Sequence, residues 1–91
     1  MNNLIKRVAD AFGLRTEDIT GHRNYAKVVL PRQVCMYLLW QEGYTHREII
    51  KAFNKKHPSL VSYSFGIIAN RMVWDSSLKS KIKVLQGEIN G

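Results

Sequence analysis

Residues 31–72, PRQVCMYLLWQEGYTHREIIKAFNKKHPSLVSYSFGIIANRM, carry punctuation at every junction, and that punctuation decides how the chain is divided. A long apolar run stops at Gly43, a residue that commonly closes helices. Thr45-His46-Arg47-Glu48 fits a capping box, in which the Thr45 hydroxyl and the Glu48 carboxylate satisfy each other's backbone N–H groups, so a short helix begins at His46. Ile49, Ile50 and Phe53 fall on one face of it, whereas His46, Arg47 and Lys51 lie off that face. Asn54-Lys55-Lys56-His57 reads as a polar turn, and Pro58 suits a first helical position because its missing donor has no helical partner there. Two helices and a tight turn presenting a third helix is the pattern of a helix-turn-helix.

The helix from Pro58 to about Met72 divides when wound at 3.6 residues per turn. Val61, Phe65, Ile68 and Met72 form a core-facing stripe. Opposite lie Ser59, Ser62, Tyr63, Gly66 and Asn70, a small, polar and uncharged face that suits insertion into a DNA major groove. The alternative for the same residues is an ordinary solvated helix face.

Outward from this segment, the N-terminal side opens with a helix from about Asn3 to Phe12, with Leu4, Val8, Ala11 and Phe12 as its apolar face and Gly13 as its stop. Thr16-Glu17-Asp18-Ile19 is expected to make one helical turn capped by Thr16, with Leu14 and Ile19 in the core. A loop from Thr20 to Lys27 follows, in which His22, Arg23, Asn24, Tyr25 and Lys27 interleave basic groups with an aromatic. That composition suits a grip on a phosphate backbone, and equally a charged surface loop. The central helix is expected to start just before Pro31 and to run to Glu42, apolar around most of its circumference from Val34 to Trp40. Arg32 and Gln33 would then sit in its first turn, where a helix N-terminus favours phosphate. On the C-terminal side, Asp75-Ser76-Ser77 caps a last helix of about residues 76–86, with Leu78, Ile82 and Leu85 inward and Lys79, Lys81 and Lys83 solvated. Residues from Gln86 on are expected to fray.

The 91 residues are enough for one small domain with a single core, and no repeat, low-complexity segment or linker divides them. Fourteen Lys plus Arg against seven Asp plus Glu give a net charge of +7, which suits a polyanionic partner. No apolar run approaches the roughly 18 residues of a membrane span, and Met-Asn-Asn-Leu-Ile-Lys-Arg is no secretory leader, so a cytoplasmic protein without a membrane partner is expected. One cysteine excludes an internal disulfide. Cys35 within VCMYLLW reads as inert core rather than as a thiol nucleophile. His22, His46 and His57 have no metal-ligand spacing. No enzyme activity, cofactor, metal or small-molecule substrate is expected.

Nearly the whole chain resembles one family, the C-terminal DNA-binding domains of the bacterial chromosomal replication initiators, the DnaA family. The resemblance begins with VADAFGLRTEDI at residues 8–19 and passes through the basic loop at His22-Arg23. It continues through Pro31-Arg32-Gln33, Met36, Leu38, Glu48-Ile49 and Ala52-Phe53. It implies an all-α bundle of about six helices with a helix-turn-helix, similar to that of the Trp repressor. It also implies duplex binding by a recognition helix in the major groove and a basic loop in the minor groove. On that pattern Arg32 and Gln33 match phosphate-facing residues and Arg23 a basic-loop arginine, whereas Asn24 replaces the next arginine. His57-Pro58-Ser59-Leu60-Val61 stands where the family reads Asp-His-(Ser or Thr)-Thr-Val, and Arg47 stands where it has a base-touching proline. No Gly-x-x-x-x-Gly-Lys-(Ser or Thr) stretch occurs, so the ATPase module of full-length initiators is not in this sequence.

The expected interface to double-stranded DNA is therefore Arg23, Lys27, Arg32, Gln33, Lys55, Lys56 and His57 on phosphates, with Arg47, Ser59, Ser62, Tyr63 and Asn70 on base edges. The alternative is a non-catalytic protein-interaction module that keeps the bundle and docks a partner on Tyr63 and Gly66 beside Leu60 and Ile67. RNA is a lesser option, because few aromatics are placed to stack bases.

Overall fold

A computed structural model describes residues 1–21 and 26–90 of the chain, with side chains as far as Gly87. Among the described residues six helices follow one another: α1 (Asn2–Ala11), α2 (Thr16–Thr20), α3 (Ala26–Gln41), α4 (His46–Ala52), α5 (Ser59–Trp74) and α6 (Ser76–Asn90). The all-α class and the helix-turn-helix read from the sequence are what the chain forms, and the described residues include no strand.

Three of the helix ends share one device. After α1, Gly13 takes φ 67°, its N–H donates to the Asp10 carbonyl, and the Leu14 N–H reaches back to the Ala9 carbonyl at 2.8 Å. After α3, Gly43 does the same at φ 99°, with Tyr44 N–H donating to the Leu39 carbonyl. After α4 the left-handed residue is Asn54, at φ 55°, and Lys55 N–H donates to the Ile50 carbonyl at 2.9 Å. Each is a Schellman closure, which satisfies carbonyls the helix would leave unpaired and turns the chain sharply.

The core is built around α3, which packs against α1, α2, α4 and α5, while α6 closes the far side against α1 and α5. Val34, Cys35, Met36, Leu38 and Leu39 are almost wholly buried, which explains why α3 is apolar nearly all round. Val8, Ile19, Ile49, Val61, Ile68 and Ile82 from the other helices and Phe53 at the end of α4 complete the buried core. Phe65 stacks on Tyr37 with ring centroids 5.1 Å apart and meets Trp40 edge-on at 4.3 Å, fixing α5 on α3 through aromatic geometry. The radius of gyration is 11.9 Å, close to the ~12 Å expected for a single compact domain of this length.

Several expected boundaries are corrected. α3 begins at Ala26, five residues before Pro31, so Lys27 is helical and Arg32 and Gln33 lie beyond the first turn. Pro31 costs the helix one backbone bond, and burial of Val28 and of Pro31 itself offsets that loss. Arg15, not Thr16, occupies the cap position of α2, and its N–H donates to the Asp18 carboxylate at 3.0 Å. α6 does not stop near Gln86. It continues to Asn90, since the sequence holds no proline there and a lone Gly87 is tolerated within a helix. Lys81 is not simply solvated: its ammonium donates to the Ala11 carbonyl at the end of α1 and lies 4.4 Å from the Phe12 ring centroid. None of the described helices is long and apolar enough to cross a membrane.

Candidate nucleic-acid interface

The local sequence fixes the angle at which α5 is offered. Thr45 Oγ1 accepts from Glu48 N–H at 3.1 Å and Thr45 N–H donates to Glu48 Oε1 at 3.0 Å, the reciprocal cap read from the sequence. Hydrogen bonding from Thr45, first from its backbone N–H and then from its side chain, holds the Glu48 carboxyl below the usual carboxylate range. At the other end of α4, the Asn54 closure swings the chain into Lys55-Lys56-His57-Pro58, and Pro58 stands at the cap of α5. Val61, Ser64 and Ile68 then face inward. Ser64 belongs to neither face of the helix as the sequence divides it. Its hydroxyl lies 3.6 Å from Met36 Sδ, a polar atom placed against a soft acceptor inside the core.

The opposite face of α5 is open. Ser59, Ser62, Tyr63, Gly66 and Asn70 are all exposed, Tyr63 to 61%. A Cβ placed on Gly66 would meet nothing within 4 Å. At the N-terminal end of this face, Lys55, Lys56, His57, Ser59 and Tyr63 line one recess floored by Leu60. A second cleft of about 270 Å3 lies between α3 and α5, and Gln33, Arg32, Lys55, Leu60 and Ser64 line it. Lys55 and Leu60 belong to both, so Gln33, Lys55, Lys56, His57, Ser59 and Tyr63 form one continuous surface. Asn70 shares the face but stands about 16 Å along the helix from Ser59. Arg47 is exposed in the first turn of α4 and Lys27 in the first turn of α3; neither lines these recesses. Arg23, with His22, Asn24 and Tyr25, lies outside the described residues.

Arg32 has a different setting from the one its sequence position suggests. Only 5% of it is exposed, and its Nε donates to the Ile19 carbonyl at 2.7 Å. Its Nη2 donates to the carbonyls of Asp18 at 3.2 Å and Gly21 at 3.1 Å. The guanidinium thus satisfies the C-terminal carbonyls of α2, where a cation also meets the negative end of the helix dipole. The expectation that Arg32 sits in the first turn of α3, facing phosphate, is corrected: α3 starts at Ala26, and Arg32 lies on the buried face with Val28, Cys35 and Leu39. Burial lowers its pKa. The Lys55 ammonium is also pushed below the usual lysine value, first by burial and then by repulsion from Arg32. Among the described residues lining this cleft, Arg32 and Lys55 are the charged ones, and both are basic.

Cys35 is buried, and burial raises its pKa far above the ordinary thiol value, so it remains protonated. Among the described residues no group of three or more His, Cys, Asp or Glu side chains is placed to hold a metal ion.

Comparison with known proteins places the sequence in a family. The sequence model of the family described as bacterial dnaA protein helix-turn-helix matches residues 1–68. The chromosomal replication initiator protein DnaA of Oenococcus oeni is 33% identical over 85 residues, covering 92% of this chain and 19% of that protein. DnaA of Deinococcus deserti is 27% identical over 92 residues, covering 100% of this chain and 20% of that protein. DnaA of Thermus thermophilus is 53% identical over 36 residues, 40% of this chain and 8% of that protein. The chain thus spans at most about a fifth of the length of these relatives. With α1 to α4 and most of α5 inside the matched span, the chain belongs to the bacterial DnaA helix-turn-helix family.

Proposed function

We propose that this domain binds double-stranded DNA, with α5 in the major groove and the turn before it on the phosphate backbone. The observation that carries the reading is the exposed, uncharged outer face of α5, adjoined at its N-terminal end by Lys55, Lys56 and His57. A groove floor offers hydrogen-bonding edges and methyl groups, which short polar side chains and a tyrosine can meet, while phosphates lie where the cations are. The excess of seven positive charges favours the same partner. The relatives are named chromosomal replication initiator proteins, so origin or regulatory DNA is the target class proposed.

In this reading Ser59, Ser62, Tyr63 and Asn70 meet base edges and Arg47 reads from α4. Gln33, Lys27, Lys55, Lys56, His57 and Arg23 hold phosphates. Arg32 acts from behind, fixing α2 and adding positive potential to the cleft. The sequence His57-Pro58-Ser59-Leu60 departs from the family's base-reading pattern. Each base contact so changed is worth about 1–3 kcal/mol of discrimination, so the preferred site differs from the short duplex sequence, or box, that the family's pattern reads. Selection from a pool of random duplexes tests this. An enriched motif distinct from that box is the expected result, and a pool that emerges without any enrichment contradicts sequence reading by α5.

A further inference from the structure

The outer face of α5 does not end at Asn70. Val73 and Trp74 follow it at i+3 and i+4 and stay on the same side of the helix. They are 84% and 68% exposed, among the largest apolar exposures in the chain, yet they continue the stripe that begins with Ser59. The Arg71 guanidinium lies 5.5 Å from the Trp74 ring centroid. Asp75, next in sequence, has its two oxygens engaged, Oδ1 by Leu78 N–H at 3.0 Å and Oδ2 by Arg71 Nε at 3.2 Å. That pairing steadies Arg71 beside the indole. Val73 and Trp74 lie beyond the residues matched by the family, which end at position 68.

The length of α5 gives this patch a partner. Its 16 residues span about 24 Å, roughly twice the ~12 Å width of a major groove. A helix that dips into the groove near Ser59 and Tyr63 and crosses it obliquely keeps Asn70 over the bases and emerges on the far side. Its last turn then stands over the sugar-phosphate chain of the strand opposite the one held by Lys55, Lys56 and His57. An indole offers an apolar face to deoxyribose and an N–H to phosphate, and a neighbouring guanidinium offers a cation. On the premise that α5 enters duplex DNA, we propose that Arg71 and Trp74 form the far end of the binding surface, clasping the sugar-phosphate backbone across the groove.

The test uses the whole 91-residue chain labelled with 5-fluorotryptophan, which gives separate resonances for Trp40 and Trp74, assigned with Trp74→Phe. Titration with a short random-sequence duplex at low salt is expected to shift the Trp74 signal. Trp74→Ala and Arg71→Ala are each expected to weaken duplex binding about five- to ten-fold, with Trp74→Phe recovering part of the loss. The Trp74→Ala thermal midpoint should stay near that of the unaltered chain, since the ring is mostly in solvent. If Trp74→Ala binds as tightly as the unaltered chain while Lys56→Ala weakens binding, the far-end contact is wrong and the duplex reading stands. If the unaltered chain binds no duplex, both fall. A Trp74 signal that broadens with protein concentration in the absence of duplex would assign the patch to a second copy of the chain and overturn the proposal.

Discussion

At Arg32 a single guanidinium satisfies the carbonyls of Asp18, Ile19 and Gly21 from inside the protein. Removing it leaves those acceptors without their donor in a poorly solvated place, a loss of the kind that costs about 1–3 kcal/mol per buried group. Arg32→Met is therefore expected to destabilise the fold by about 2–4 kcal/mol in denaturant titration, with Arg32→Lys restoring only part, because an ammonium cannot reproduce the planar fork. A variant that keeps full stability but loses duplex binding would instead make Arg32 a surface clamp. Nothing in the local sequence announces this inward role. Pro-Arg-Gln reads naturally as a helix start, whereas α3 runs back to Ala26 and Arg32 shares its buried face with Val28, Cys35 and Leu39. Asn54 is equally hard to read, since a left-handed residue between two helices is more often announced by glycine, as at Gly13 and Gly43.

Among the elements, α4 and α5 are the most legible because their ends are written in side-chain chemistry. The Thr45–Glu48 box forms as read, and so does the Asp75 cap on Leu78 N–H. Both carboxyls have pKa values below their unfolded ones, held down by backbone N–H donors first. Such groups contribute stability that is fully present above the unfolded carboxylate values of about 4 and is lost as pH falls through the lower folded values. The stability gap between the unaltered chain and Glu48→Gln should therefore hold from neutral pH to about pH 5 and shrink below about pH 4, measured as denaturation midpoints across pH. A gap that persisted unchanged at about pH 2, below the unfolded carboxylate value, would remove the carboxylate from the cap. The open face of α5 permits a cleaner separation of folding from binding. Since nothing surrounds Gly66, Gly66→Ala is expected to stabilise the free protein by about 0.5–1 kcal/mol through helix propensity alone. Gly66→Glu should leave the fold intact and weaken duplex binding by placing a carboxylate against DNA. Equal duplex affinity for the two variants would place the groove contact elsewhere.

Taken whole, the molecule is one apolar centre, α3, wrapped by helices that leave the outer side of α5 uncovered, with basic groups on the turn before it. The core is readable because helical periodicity and burial coincide at Leu4, Val8, Ile49, Phe53, Val61, Ile68, Ile82 and Leu85. The candidate surface is readable only in part. Which polar residues are exposed follows from the pattern, but which meet in one recess depends on the angle between α3 and α5, set by Phe65 against Tyr37 and Trp40. Net charge alone suggests a polyanion without saying how it is held. If several cations grip a duplex while α5 lies in its groove, the salt dependence of affinity reports that grip. With about four or five phosphates neutralised, the logarithm of the association constant should fall with the logarithm of salt concentration at a slope of about −4. A slope near zero between low and physiological ionic strength would contradict it.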